Sequence, residues 1–291
     1  MSAAQSLRLA SAQYDIGFLN SWADYQAKVR RWVAEAVDQG AQVLLFPEYF
    51  SMELASLFPA DIYGSLSKQL DALQELLDRF VELFADMARA HGAYIVAGSF
   101  PVRQDDGTYR NRSYLVDPSG VARHQDKLIM TRFENEQWLI SAGDEIKVFD
   151  TEFGCVGINV CYDSEFPMIA RSQVERGADL ILVPSCTDTL AGYHRVRIGC
   201  QARALENQCY VIQSPTVGEA RWSEAVDVNQ GAAAVYTPVD YGFPDDGILA
   251  AGELNHAQWV YADLDLEAIA DIRESGQVFN YRDWPLQFRC S

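Results

Sequence analysis

The sequence Gly157-Ile-Asn-Val-Cys161-Tyr-Asp-Ser-Glu-Phe-Pro167 contains a short apolar strand that ends in a cysteine, and its proline suits the first turn of a helix. Apolar strands and amphipathic helices alternate on both sides of this stretch. Strands this apolar are usually covered on both faces. The alternation therefore predicts an α/β protein in which helices cover sheets.

The predicted elements continue along the whole chain. Periodicity predicts helices at 22–40, 68–90, 168–176 and 195–207, and strands that include 7–14, 42–46, 94–97, 155–160 and 180–183. Tandem repeats and Pro/Ser-rich linkers are absent from the sequence, and 242–247 is interpreted as a surface loop. With 49% hydrophobic residues the chain can bury a large core. We therefore expect a single domain over residues 1–291.

The chain is acidic: 41 Asp and Glu against 23 Lys and Arg give a formal net charge of −18. Neutralising phosphates needs clustered basic residues, so this charge argues against nucleic-acid and anionic-membrane partners. No stretch of the sequence approaches the ~18 apolar residues of a membrane span, and the N-terminal residues lack a sustained apolar core. We expect a cytoplasmic protein, with small molecules or proteins as its partners.

The cysteines and histidines show no metal-binding pattern. The six cysteines are too dilute for a disulfide scaffold, form no CxxC pair and are interpreted as mostly reduced thiols: Cys155, Cys161, Cys186, Cys200, Cys209 and Cys290. The four histidines also lack ligand spacing: His91, His124, His194 and His256. The sequence therefore gives little support to a zinc site or to a papain-like Cys-His pair.

Three reactive residues lie at or near strand ends, where α/β folds tend to place ligands and catalysts. Glu48 follows an apolar strand among aromatic residues, so desolvation can raise its pKa and suit it as a general base. Cys161 would need a helix N-terminus, a cation or a base to become a nucleophile, and the helix after Pro167 can supply the first. Lys127 can stabilise a thiolate or an oxyanion. Each residue also has a simpler interpretation when taken singly. Glu48 can be a partly exposed loop glutamate, Cys161 a small buried apolar residue and Lys127 a solvated surface charge.

The order and context of these residues resemble one family. The chain is similar to the nitrilase, or carbon-nitrogen hydrolase, superfamily over nearly its whole length. The resemblance is carried by Leu9-Ala-Ser-Ala-Gln13, Phe46-Pro-Glu48, Lys127, Ser141-Ala-Gly-Asp144, Cys161-Tyr-Asp163, Glu165-Phe-Pro167, Gly177-Ala-Asp179, Pro184-Ser185, Ala202-Arg-Ala204 and Glu206-Asn207. It implies a single-domain, four-layer αββα sandwich with a Glu-Lys-Cys triad and no metal or organic cofactor.

The resemblance also implies a role for each site residue. Glu48 would deprotonate Cys161 and later protonate the departing amine. Lys127 would hold the oxyanion together with the backbone N–H of Tyr162. Many members have a further glutamate that positions the substrate, and Phe133-Glu134 fits that pattern better than Glu136 does. Arg132 replaces a proline that is frequent in the family, so the shape of this loop stays open.

These features lead to three hypotheses for the function. The leading one is a cysteine-dependent amidohydrolase that cleaves a small amide, ω-amide or N-carbamoyl compound. The alternatives are a nitrilase acting on a small nitrile and a catalytically idle binding or scaffold protein. Arg195 and Arg197 can clamp a substrate carboxylate or lie exposed on a helix. Family members commonly pair through helices near the nucleophile, so we expect a homodimer or higher homo-oligomer.

Overall fold

The computed structural model of the chain describes residues 6–290, and its strands form one curled sheet. Residues 1–5, Ser291 and the side chain of Cys290 lie outside the described part of the chain, and so does the prediction that the Cys290 thiol is reduced. The strands are β1 (Leu7–Asp15), β2 (Val43–Leu45), β3 (Tyr94–Arg103), β4 (Tyr109–Val116), β5 (Ala122–Asp126), β6 (Ile140–Ser141), β7 (Val148–Thr151), β8 (Gly154–Ile158), β9 (Ala178–Ser185), β10 (Tyr210–Glu219), β11 (Val228–Asn229), β12 (Ala234–Tyr236), β13 (Ile248–Ala251) and β14 (Gln258–Leu264).

Helices lie on both sides of the sheet. The α-helices are α1 (Trp22–Asp38), α2 (Ala60–Tyr63), α3 (Leu66–Leu73), α4 (Leu77–His91), α5 (Pro167–Glu175), α6 (Leu190–Asn207), α7 (Leu266–Ser275) and α8 (Asn280–Asp283). Shorter 3₁₀ turns include Phe50–Leu57 and Cys161–Glu165, and a π-helical turn spans Glu134–Trp138. Within residues 6–290 no helix combines the length and apolar character needed to cross a membrane.

The sheet has two halves that meet at the ends of β1 and β10. The strand order is β5-β4-β3-β2-β1-β10-β9-β8-β7, and β14 pairs with β1. The central pairs β1–β2, β2–β3, β8–β9 and β9–β10 are parallel. Tyr14 lies opposite Thr216 at the parallel junction of the two halves. The carboxyl ends of β1 and β10 therefore meet at this junction.

Alternating side chains along the first half of the sheet separate two cores. Ala10 and Leu44 point into a core shared with α1 and α4. Leu9 and Val43 point the other way, into a core that contains β8, β9 and β10 and one face of α5 and α6. Because side chains alternate along a strand, one sheet half serves both cores. The layers are thus helix, sheet, sheet and helix, which confirms the predicted α/β, αββα architecture.

Three predicted elements differ in detail. The helix predicted over 195–207 begins five residues earlier, at Leu190. The helix predicted over 68–90 is two helices, α3 and α4, separated by a 3₁₀ turn at Gln74–Leu76. Its apolar spacing stays in register across the break, because Leu70, Leu73 and Phe80 are all buried. The strand predicted over 155–160 ends at Ile158, so Cys161 does not terminate a strand.

Candidate active site

The structure brings Glu48, Lys127 and Cys161 to one cavity. Glu48 lies three residues beyond β2, and Lys127 directly follows β5. Cys161 is the first residue of the 3₁₀ turn after β8. All three side chains are buried and line the same cavity, together with Glu134. The predicted residues therefore come from separate parts of the chain and converge, as an enzymatic site requires.

Lys127 lies between two buried carboxylates. Its Nζ is 2.8 Å from Glu48 Oε1 and 2.6 Å from Glu134 Oε2. The Tyr49 hydroxyl donates to Glu134 Oε1 at 2.8 Å, and the Thr131 hydroxyl donates to Glu134 Oε2 at 2.9 Å. One ammonium and two carboxylates leave this cluster with one excess negative charge when all three are ionised. Buried charges are tolerated when they are paired and hydrogen-bonded in this way.

The surroundings push the pKa values of the two glutamates apart. Burial raises the pKa of Glu48, and the nearby Lys127 opposes this rise only in part. Burial also acts to raise the pKa of Glu134, but Lys127, Thr131 and Tyr49 outweigh it and hold that pKa below its usual value. Burial acts to lower the pKa of Lys127, but the two carboxylates hold it well above normal. Glu134 and Lys127 thus stay charged, whereas Glu48 is suited to proton exchange.

Cys161 is held in an unusual backbone conformation. Its φ is 50°, in the left-handed region that a residue with a side chain rarely adopts, and such strain clusters at functional sites. The Sγ atom is 3.7 Å from the carbonyl oxygen of Cys186. Burial and the Glu48 carboxylate raise the pKa of Cys161 well above its usual value, against the lowering effect of Lys127. The resting residue is therefore a thiol that needs a base.

This finding corrects one expectation about thiol activation. Helix α5 begins at Pro167, as predicted, but Cys161 lies six positions earlier in a separate 3₁₀ turn. A helix N-terminus favours negative charge only within its first turn. Activation of Cys161 by α5 is therefore not supported, and the groups that contribute to its pKa include Glu48 and Lys127.

Asp163 connects the cysteine turn to the lysine loop. Its buried carboxylate accepts the backbone N–H groups of Leu128 and Ile129, at 3.1 and 2.8 Å, and that of Val160 at 3.3 Å. Burial raises the pKa of Asp163 to about 7, although Lys127 and these N–H groups act to lower it. This side chain fixes the segment after Lys127 against the turn that carries Cys161.

The structure separates the two candidate accessory glutamates. Glu134 is buried at the start of the π-helical turn and contacts Lys127. Glu136 is exposed, and Arg132 Nε donates to its Oε1 at 2.9 Å. A π-helical turn is rare and is frequent at functional sites. Arg132 stands where family members often have proline; its side chain is 89% exposed, and its guanidinium pairs with Glu136.

The cavity has a volume of about 610 Å³, within the range of small-molecule sites. One wall is aromatic: the ring centroids of Tyr49 and Trp138 are 4.8 Å apart, and Phe133 packs against Trp138. Tyr162 also lines the cavity. Arg195 lies at its edge, 3.5 Å from Glu165, whereas Arg197 lines a different pocket. Only one of the two arginines considered as carboxylate clamps is therefore near the site.

Sequence reasoning missed several residues that build the site. Asn111, Tyr49 and Thr131 all contact the carboxylates, and Asp163 was considered only as part of a motif. A polar residue at a buried position of a strand is the signal that would have indicated Asn111. Among the described residues, no group of three or more His, Cys, Asp and Glu side chains is arranged to hold a metal ion.

Comparison with known proteins identifies the class. Residues 8–274 match the model of the carbon-nitrogen hydrolase family, and the chain belongs to that family. It is 35% identical over 277 residues to the "Probable hydrolase YhcX" of Bacillus subtilis, across 95% of this chain and 53% of that protein. The chain thus spans about half the length of this relative. It is also 27% identical to human "Omega-amidase NIT2", over 95% of each chain.

Solved structures share the fold. The Caenorhabditis elegans NitFhit protein superposes with a TM-score of 0.78 at 22% identity, over 97% of this chain and 66% of that chain. A mutant of the amidase from Nesterenkonia sp. AN1 superposes with a TM-score of 0.67 at 23% identity, over 96% of this chain and 99% of that chain. These similarities place the chain among the nitrilase-superfamily folds.

Proposed function

We propose that the protein hydrolyses the C–N bond of a small amide, ω-amide or N-carbamoyl compound through a thioester on Cys161. The observation that carries this proposal is the ammonium of Lys127 held between Glu48 and Glu134, in a cavity that also contains the Cys161 thiol. The cluster supplies a base, a cation and a nucleophile together. We propose further that the catalytic domain comprises residues 1–291.

In the first half-reaction, the Cys161 thiol transfers its proton to Glu48 while the sulfur attacks the acyl carbon. Lys127 and the backbone N–H of Tyr162 stabilise the oxyanion. Tyr162 is the second residue of the 3₁₀ turn, where an N–H group has no partner within the helix. The C–N bond then breaks, and Glu48 returns the proton to the departing nitrogen. A thioester on Cys161 and a free amine or ammonia result.

In the second half-reaction, water cleaves the thioester. Glu48, ionised again after the amine has left, removes a proton from the water, and the oxygen attacks the acyl carbon. The C–S bond breaks, the proton on Glu48 returns to the sulfur of Cys161, and the acid product leaves. The raised pKa of Glu48 suits this repeated exchange, whereas the lowered pKa of Glu134 suits a fixed anion that positions the substrate nitrogen.

The two glutamates allow a matched test of this assignment. We expect Glu134→Gln to lower kcat/KM at least ~10-fold, since it removes a charge that contacts Lys127 within the cavity. Glu136→Gln should stay within about twofold of the wild type, because an exposed ion pair contributes little. Steady-state kinetics on one amide measure both variants. Equal, mild effects would mean that Glu134 does not position the substrate.

The leading hypothesis and its nitrilase alternative differ in their leaving group. An amide must expel an amine, whereas the first adduct of a nitrile is a thioimidate that must be hydrated before ammonia leaves. Tyr162 and Asp163 follow the nucleophile, as in amide-cleaving members, whereas nitrilases usually have Trp-Glu. The names of two similar proteins, an ω-amidase and an amidase, also favour amides.

We therefore expect turnover of a small amide and at least ~10²-fold lower kcat/KM on the matching nitrile, a gap of ~2.7 kcal/mol. A panel of amides, ω-amides, N-carbamoyl compounds and nitriles, assayed for ammonia release, makes this measurement. The ω-amides also test whether Arg195 binds a substrate carboxylate. Equal or faster release from the nitrile would favour a nitrilase, and no release from any member would favour the idle alternative.

We further propose that the protein forms a homodimer or higher homo-oligomer through α5 and α6. Large apolar side chains are exposed on both helices: Met168 is 59% and Ile198 65% exposed, and Leu205 lies two turns beyond Ile198. Light scattering at micromolar concentration should give at least a dimer, and Ile198→Asp should weaken it. A fully active wild-type monomer would contradict this prediction.

A cytoplasmic location also remains our proposal. Its support is the chemistry of the cysteines: Cys155, Cys161, Cys186, Cys200 and Cys209 are unpaired in the described part of the chain. A nucleophilic Cys161 has to stay reduced to function, and reducing compartments keep thiols in that state. The binding partner that we propose for the protein is its small-molecule amide substrate.

A further inference from the structure

Asn111 lies on β4 and is fully buried beside the cluster of charges. Its Nδ2 donates to Glu48 Oε1 at 2.8 Å and to Glu134 Oε1 at 3.3 Å. Its backbone carbonyl also accepts the N–H of Lys127 at 2.8 Å. Asn111 therefore contacts all three charged members of the cluster.

The orientation of the Asn111 amide follows from its neighbours. Both facing atoms are carboxylate oxygens, which accept hydrogen bonds when ionised, so the NH₂ group has to point toward them. The Oδ1 atom is buried and has no hydrogen-bond partner among residues 6–290. Leaving a buried acceptor unpaired costs about 1–3 kcal/mol. The amide at this position therefore gains its two donor contacts at a cost in folding stability.

A neutral donor has a chemical advantage at this place. A second cation beside Glu48 would favour its ionised form and weaken it as a base. The amide instead ties one oxygen of each carboxylate without adding charge. Because Lys127 and Asn111 both bind Oε1 of Glu48, Oε2 is left to exchange a proton with Cys161.

Resting on the proposed function, we propose that Asn111 is a positioning residue that holds Glu48 and Glu134 side by side and fixes the proton-exchanging oxygen of Glu48. It acts through the two glutamates and need not touch the substrate. Its replacement should therefore change kcat much more than KM. It should also change the rate at which iodoacetamide alkylates Cys161, because alkylation requires removal of the thiol proton.

Two variants with different donor capacity test this role. Asn111→Ala has no donor at any pH, and we expect kcat and the alkylation rate of Cys161 to fall at least ~10-fold, with KM within about threefold of the wild type. Asn111→Asp has the same shape but repels both carboxylates at pH 8. Burial and the two neighbouring carboxylates should raise the pKa of this carboxyl group, so as the pH falls toward 6 it should gain a proton and donate again. The kcat and alkylation rate of Asn111→Asp, each divided by the wild-type value, should then rise. The same ratios for Asn111→Ala should stay constant.

Ser113→Ala is the control for a change in the same strand. Ser113 is also fully buried on β4, and its hydroxyl has no hydrogen-bond partner within residues 6–290, so it donates to none of the charged residues described there. This variant should keep the activity and alkylation rate of the wild type. Circular dichroism and thermal unfolding show which variants fold. If Asn111→Asp does not fold, the result for Asn111→Ala alone tests the inference.

The alkylation assay separates this inference from the proposed function. If the wild type hydrolyses no amide, the proposed function fails, but alkylation of Cys161 still reports on Asn111. Wild-type alkylation rates in a folded Asn111→Ala variant would overturn the inference. Equal losses of alkylation rate in Asn111→Asp and Asn111→Ala at every pH would also overturn it, because a donor restored by protonation would then have no effect.

Discussion

Cys161→Ala is expected to lower turnover of any amide substrate at least ~10⁴-fold, because the proposed thioester forms on the sulfur that this change removes. The fold should remain, since the change removes one sulfur, whose hydrogen bond to the Cys186 carbonyl oxygen is a weak one of 3.7 Å. Ammonia release measures the activity, and circular dichroism measures the fold.

Cys186→Ala is the matched control for this prediction. Cys186 is the other thiol that lines the cavity, and its Sγ donates to Asn229 Oδ1 at 3.1 Å. Its carbonyl oxygen, which faces Cys161, belongs to the backbone and survives the substitution. We expect activity within about tenfold of the wild type. Loss of turnover in Cys186→Ala together with full turnover in Cys161→Ala would reassign the nucleophile.

Lys127→Met is expected to combine two large effects. It removes the cation that we propose stabilises the oxyanion, so kcat should fall at least ~10²-fold. It also leaves Glu48 and Glu134 buried without the ammonium that they contact, which should lower the free energy of unfolding by about 3–5 kcal/mol. Kinetics and urea unfolding measure the two effects.

The loss of stability should depend on pH in a defined direction. Without Lys127, burial raises the pKa values of Glu48 and Glu134 in the folded state above their unfolded values. Such groups favour the folded state at low pH, and this contribution is lost as the pH rises through the folded pKa. The difference in the free energy of unfolding between Lys127→Met and the wild type should thus be smaller at pH 5 than at pH 8. A difference that is independent of pH would contradict this account.

Glu48→Gln separates catalysis from stability. A neutral amide cannot accept the thiol proton, so kcat should fall at least ~10²-fold. Lys127 keeps its contact with Glu134, and only one carboxylate then remains beside it. The stability loss should therefore be much smaller than that of Lys127→Met. A Glu48→Gln variant with wild-type kcat would remove the general base from the mechanism.

Local sequence patterns predict the α/β class and most of its elements well, whereas the αββα layering was implied by the family resemblance. Buried strands such as β2 and β9 are continuously apolar, and Pro167 begins α5 as its position suggests. The prediction of one helix over 68–90 was wrong at its centre, where a 3₁₀ turn at Gln74–Leu76 separates α3 from α4. Apolar spacing reports which face is buried and does not register a 3₁₀ turn that keeps the face in place.

The site is less predictable because it depends on contacts between distant segments. Glu48, Lys127 and Cys161 were singled out near predicted strand ends and were joined into one site only by the family resemblance, because their spacing gives no distance between them. The choice between Glu134 and Glu136 needed the π-helical turn, which turns one inward and the other toward Arg132. Asn111 is 63 positions from Glu48 in the chain, so no local pattern links the two.

Alkylation of Cys161 tests the central claim most directly. One equivalent of iodoacetamide should label the Cys161 peptide ahead of the other five cysteines, and turnover should fall in proportion to the fraction labelled. Peptide mapping by mass spectrometry and an ammonia assay on the same samples give both quantities. Enzyme that is fully labelled at Cys161 should have no activity. Enzyme labelled at Cys161 that keeps full turnover, or inactive enzyme labelled at another cysteine with Cys161 unmodified, would contradict it.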